Sequence, residues 1–268
     1  MTETLHDRVA DAVETVDREI EYITDERAAF DRFRARLSKV EPWTPATADG
    51  PATDAAGIGA GSAATGSAPA LAAARSEPPV GTGLRTVRRA YRETVMAVPH
   101  FEAEYDDTLR ANLAAECGAD VAAQVVEGTR LTPPLYRALA AAADRAVDER
   151  SRFRRSLERE RDSLTTVGDG LAACERRLDE IDAELDGADP ERLGRLDERL
   201  ADAEASCADL ADERQRLVHG RPAVPLSGVD GVSLINFLYG DRERRCPGLA
   251  AVADCLGRVR DLRTRCLR

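Results

Sequence analysis

The residues that could do chemistry are few and far apart. His6, His100 and His219 are the only histidines, and no two are near in sequence. An imidazole that moves protons needs a carboxylate or a second base within reach. The best-placed set is His100 with Glu102 or Glu104, with Asp106 and Asp107 as further candidates, and a hydrolase-type site would be built there. Yet His100 directly follows Pro99, which ends or kinks a helix, so it reads first as a packed or exposed junction residue. The cysteines are Cys117, Cys174, Cys207, Cys246, Cys255 and Cys266. None forms a CxxC pair and no histidine is grouped with them, whereas zinc sites and thioredoxin-like motifs use tighter spacing. Cys174 and Cys207 fall in adjacent layers of a helical seam and read as small apolar residues of it. Whether that pair is ever a disulfide depends on geometry that sequence does not carry. Gly168-Asp169-Gly170 does not follow a strand, which a phosphate-cradling loop requires. No residue is therefore assigned a catalytic, cofactor-binding or metal-binding role, and no cofactor is expected.

The elements that would have to position any site are helices. Leucine recurs every seven residues at Leu157, Leu164, Leu171, Leu178 and Leu185, with Phe153, Val167, Cys174 and Ile181 between. The beat resumes after Pro190 at Leu193, Leu196, Leu200, Ala203, Cys207, Leu210 and Leu217. A seven-residue apolar repeat keeps one seam of a helix against a partner and favours a left-handed coiled coil. Between the two runs, Gly187 can take the left-handed conformation that ends a helix, Asp189 is an N-cap, and Pro190 occupies the first helical position. The spacing predicts an antiparallel hairpin that pairs Leu185 with Leu193, Ile181 with Leu196, Leu178 with Leu200, Cys174 with Ala203, Leu171 with Cys207 and Val167 with Leu210. Glu160 and Arg214 break the apolar rule in adjacent layers, where they can form a salt bridge that fixes register.

Composition agrees with helices and limits the partners. The chain has 268 residues, a net charge of -11, 32% charged residues and only 4% aromatics. Lys39 is the only lysine, so nearly every basic residue is arginine. This acidic balance argues against nonspecific nucleic-acid binding, which needs a basic face. The cluster Arg150, Arg152, Arg154, Arg155, Arg159 and Arg161 is interleaved with Glu158 and Glu160 and reads as a solvated, salt-bridged face. The start of the chain is mostly polar rather than a signal peptide, and the uncharged run Ala55–Ala74 is too weakly apolar to favour a bilayer. A cytoplasmic protein without membrane insertion is expected.

Taken in order, residues 1–41 form an amphipathic helix whose stripe is Val9, Val16, Ile23, Phe30 and Leu37. Residues 42–83 read as a flexible linker rich in Ala, Gly, Pro and Ser, with Trp43 anchoring its start. The remaining residues, 84–268, read as one helical domain. Within it, 84–132 is a short-helix core with Tyr91, Phe101, Tyr105 and Tyr136 clustered, and 133–219 is the hairpin. Residues 220–268 return as helices that fold back on the core, after a Pro/Gly-rich connection over 221–232. Thr132 caps the long helix and Pro133 opens it. The expected fold is all-α: a long antiparallel coiled-coil hairpin projecting from a small multi-helix core, plus a tethered N-terminal amphipathic helix.

The stretch Tyr91-Arg92-Glu93-Thr94-Val95-Met96-Ala97-Val98-Pro99-His100-Phe101, the helix start Leu131-Thr132-Pro133-Pro134-Leu135, and Phe237-Leu238-Tyr239-Gly240-Asp241 followed by Cys246-Pro247-Gly248-Leu249 resemble an uncharacterised family of haloarchaeal proteins, a domain of unknown function. The resemblance runs from Leu84 to the C-terminus with the first helix in front. It implies a salt-adapted archaeal source, which the acidic, lysine-poor composition also suits, and a helical architecture. It transfers no catalytic residue. The expected function is a non-catalytic structural or protein-interaction role, as scaffold or adaptor. The expected partner is another protein, or a second copy of the chain, held through the seams. The alternatives are a regulatory module whose first helix docks on and off, and a hydrolase-type enzyme.

Overall fold

Thr132 starts the longest helix. Its hydroxyl accepts the Leu135 N–H at 3.4 Å, and Pro133 supplies a first position that has no N–H to satisfy. In the computed structural model, which describes residues 5–44, 81–220 and 233–267, this helix is Pro133–Leu185, 53 residues and about 80 Å long. Of the expected linker over 42–83, residues 45–80 lie outside the described residues, as does the connection over 221–232, while α2 already starts at Thr82. The described residues form helices and no strand: α1 (Leu5–Leu37), α2 (Thr82–Arg92), α3 (Phe101–Glu104), α4 (Leu109–Cys117), α5 (Ala119–Glu127), α6 (Pro133–Leu185), α7 (Pro190–His219), α8 (Leu234–Tyr239) and α9 (Pro247–Cys266), with a 3₁₀ turn at Val95–Ala97. None of these helices is long and apolar enough to cross a membrane.

The hairpin forms as its spacing requires. Gly187 has φ 79°, and the Asp189 carboxylate accepts the Arg192 N–H at 2.8 Å, so α6 stops and α7 starts within five residues. Every seam residue from Leu157 to Leu185 is buried, including Glu160, whose charge is met by Arg214 in a buried ion pair. Arg214 donates to the two Glu160 oxygens at 2.9 and 2.5 Å and to Ser163 at 3.1 Å, while the Tyr239 hydroxyl donates to Glu160 at 2.9 Å. The Gly168-Asp169-Gly170 stretch stays helical. A Cβ on Gly170 would lie 2.7 Å from Leu210 Cδ1, so the glycine lets α7 approach closely.

The first helix lies antiparallel along α6. Gly168 faces Val9 and His6, Arg150 meets Glu26, Arg34 meets Asp144, and the Trp43 N–H donates to the Leu131 carbonyl at 2.7 Å. Trp43 anchors the end of this segment as its position suggests, with the Arg130 guanidinium 4.1 Å over its ring. The α1 partner is therefore the same chain's long helix, and α6 becomes the common wall of two apolar cores. One core joins Phe30, Phe33 and Leu37 to Leu84, Val87 and Tyr91 of α2, Leu113 of α4, Val125 of α5 and Leu135 and Leu139 of α6. The other joins Val9 and Val16 to Leu164 through Leu185 of α6, Leu196 and Leu200 of α7, and Val252 and Val259 of α9.

The C-terminal helices depart from expectation. They pack along the hairpin, not on the short-helix core. The core end of α6 is already covered by the second half of α1, whereas the hairpin and the first half of α1 together form a groove with an acidic flank, and Arg8 of α1 pairs with Asp254 of α9 at 2.7 Å. The α9 face of Val252, Cys255, Val259 and Leu262 fills that groove. Arg258 then reaches Asp179 at 2.5 Å, Arg263 reaches Asp197 and Glu204 at 2.9 Å each, and Arg265 pairs with Asp182.

Candidate functional site

Glu26 sits in the stripe of α1 at a position where an apolar residue would pack, three residues after Ile23 and four before Phe30. It is 7% exposed, and its carboxylate gathers three partners from two other segments, α6 and the residues that cap the two ends of α3. Arg150 Nε of α6 donates to Oε2 at 2.8 Å; Tyr105 Oη donates to Oε1 at 2.7 Å; His100 Nε2 lies 3.2 Å from Oε1. His100 is buried at the start of α3 and stacks on Tyr22 of α1 with ring centroids 4.2 Å apart. Arg150 also forks onto Glu116 of α4 at 2.8 and 3.3 Å and lies 4.4 Å over the Phe30 ring. Beside this cluster the Tyr91 hydroxyl donates to Asn112 Oδ1 at 2.8 Å.

The carboxylate that meets His100 is thus Glu26, 74 residues away, and not Glu102 or Glu104, which are exposed. Asp106 is exposed too, at a left-handed φ of 43°, and Asp107 accepts from Asn112 at 3.5 Å. Arg150 is also placed differently from its expected solvated face. It is 6% exposed because it occupies a seam position of α6, while Arg152, Arg155 and Arg159 are exposed. Tyr91 and Phe101 are buried as expected for the aromatic cluster, Tyr136 is half-buried, and Tyr105 is 44% exposed with only its hydroxyl turned inward.

The electrostatics are those of a closed network. Burial raises Glu116 above its ordinary value, against the opposing pull of Arg150. Burial works against the charge on Arg150, but Glu116 and Glu26 more than offset it and hold the guanidinium charged. Burial, then the Glu26 charge, pushes the Tyr105 hydroxyl up, so it remains a donor. The recess among Glu26, Phe30, Phe101, Tyr105, Asn112 and Arg150 has a volume of about 10 Å³, at the lower limit for one water molecule. The arrangement can hold a proton or tie helices together, but it has no room for an organic substrate.

A second constellation was not legible in the sequence. Cys174 of α6, Cys207 of α7 and Cys255 of α9 converge in one layer, with Sγ···Sγ distances of 3.6, 3.6 and 3.3 Å. All three are buried, Cys207 and Cys255 completely. Cys174 and Cys207 were placed in adjacent layers by the hairpin spacing. Cys255 joins them only because α9 takes the hairpin groove.

These features define an all-helical protein organised around a long hairpin, with its buried charges paired across helices. The chain belongs to the family described as Domain of unknown function (DUF7260), whose model matches residues 7–263. No curated protein and no solved structure matches it.

Proposed function

We propose that this chain is a non-catalytic structural protein, a scaffold or adaptor that works through contacts with other proteins or with its own copies. The observation that carries the reading is the use made of Glu26: both carboxylate oxygens are engaged by Arg150, His100 and Tyr105, which joins α1, α3 and α6. A general base has a free lone pair facing a substrate-sized space, and this one faces its neighbours. The seven-residue repeats support coiled-coil packing along the hairpin. The acidic, lysine-poor composition supports a salt-adapted archaeal source. The test is light scattering on the full chain in molar potassium chloride, paired with crosslinking in its native extract. A defined oligomer or one stoichiometric partner is expected. A strict monomer with no crosslinked partner overturns the reading.

One observation favours the regulatory alternative. The contact of α1 with α6 includes an ionic layer, Glu26 with Arg150, inside an apolar stripe. A buried ion pair gives less net stability than a well-packed apolar layer, so it lowers the cost of lifting α1 away. Hydrogen exchange decides this: a switch requires α1 amides to exchange well ahead of those in α6. Equal protection of the two helices removes the alternative.

A further inference from the structure

We infer that Cys174, Cys207 and Cys255 form a three-thiolate site for one thiophilic d¹⁰ metal ion, zinc(II) or copper(I) in type. Each thiol comes from a different helix, and each lies within 3.3 to 3.6 Å of the other two. The centre of that nearly equilateral triangle is about 2 Å from every sulfur. An ion at the usual Zn–S distance of roughly 2.3 Å therefore sits about 1 Å out of the sulfur plane, as in a tetrahedral site seen from its base. Soft thiolates select such ions over hard ones.

Packing alone does not account for the arrangement. Leu171 and Leu178 on α6, Ala203 on α7, and Val252 and Val259 on α9 fill the neighbouring positions with hydrocarbon. Three sulfurs replace hydrocarbon in one layer only. Disulfide chemistry fits less well, because bonding any pair leaves the third thiol over and draws two sulfurs closer by roughly 1.5 Å. An ion uses all three. At this level α6, α7 and α9 supply the sulfurs, and the start of α1 reaches α9 through Arg8, which pairs with Asp254 at 2.7 Å. The ion would clamp the last helix onto the hairpin.

The protons must leave for this to happen. Binding releases the thiol protons of all three cysteines and the sulfurs bind as thiolates, so affinity falls as pH is lowered.

The experiment is a titration of the reduced, chelator-stripped full chain with cadmium(II), a spectroscopic stand-in for zinc, after six free thiols have been counted. One ion per chain is expected, with a thiolate-to-metal charge-transfer band in the ultraviolet and a higher Tm. Cys255→Ala should abolish the band, while a chain carrying Cys117→Ala, Cys246→Ala and Cys266→Ala should keep it. If Cys255→Ala fails to fold, hydrogen exchange of the wild type decides. The metal should slow exchange in α9 and the adjoining turns of α6 and α7, and leave α2, α4 and α5 unchanged. Absence of a band with all thiols free, a band that survives Cys255→Ala, or protection spread evenly over the chain overturns the proposal.

Discussion

Glu160 and Arg214 meet in a space with no access to solvent, and each has further neutral partners in Tyr239 and Ser163. Removing one charge strands the other. Arg214→Glu should therefore cost about 3–5 kcal/mol of unfolding free energy in urea titrations. Exchanging both charges, Glu160→Arg with Arg214→Glu, should recover more than half of that. A double variant no better than the single one would show that the pair does not set the register. Glu116 gives a pH-dependent counterpart. Burial raises its folded pKa above its unfolded value near 4.5, so its favourable contribution is full below about pH 4.5 and is lost as pH rises through the folded value. Glu116→Gln cannot lose that contribution. The stability difference between wild type and Glu116→Gln should shift toward the wild type as pH falls from 7 to 4, and chemical denaturation across that range would check it. Both charged layers had a visible signal in the sequence, a charged residue on a seam beat. That signal identified Glu160 and Arg214. Glu26 carries the same signal but stands beside a wider apolar stripe, and Arg150 was masked by five arginines following it.

Helix ends were legible because a cap and the turn it closes are adjacent in sequence. Thr132, Asp189 and Gly187 act locally, and the structure uses them as their chemistry dictates. Helix placement was not legible in the same way. Which groove α9 enters depends on how α1, α6 and α7 come together, and no local pattern in α9 records that. The thiol triangle was hidden for the same reason. The glycines show the difference between a local and a tertiary requirement. Gly194 in α7 has open space around its missing Cβ, so Gly194→Ala should stabilise by about 1 kcal/mol through helix propensity. Gly170→Ala has the same propensity gain but meets Leu210 within 3 Å at two carbons, so its gain should be cancelled or reversed. Thermal unfolding of the two variants side by side tests the pair. Equal stabilisation would mean that α6 and α7 do not approach as described.

At the scale of the whole molecule, charge and salt are coupled. The net charge of -11 repels itself at low ionic strength, where the Debye length is roughly 10 Å at 0.1 M and roughly 3 Å at 1 M. Screening also weakens the exposed arginine–carboxylate pairs between α9 and the hairpin, but each of these is worth only about 0–1 kcal/mol. Relief of repulsion should win, and Tm should rise between 0.1 and 2 M potassium chloride in a calorimeter. A falling Tm would mean that the surface pairs hold α9 in place more firmly than its apolar face does.

Trp43 is bonded to Leu131 and stacked under Arg130, and Gly81 sits against the Thr129 carbonyl, with Gly83 between Leu131 and Val40. Both margins of residues 45–80 thus rest on one short stretch ahead of α6. The seats of α1 and α2 are therefore made by residues outside that interval, and a chain in which the interval is exchanged for another tether spanning the same two margins should keep its helical circular dichroism and its Tm.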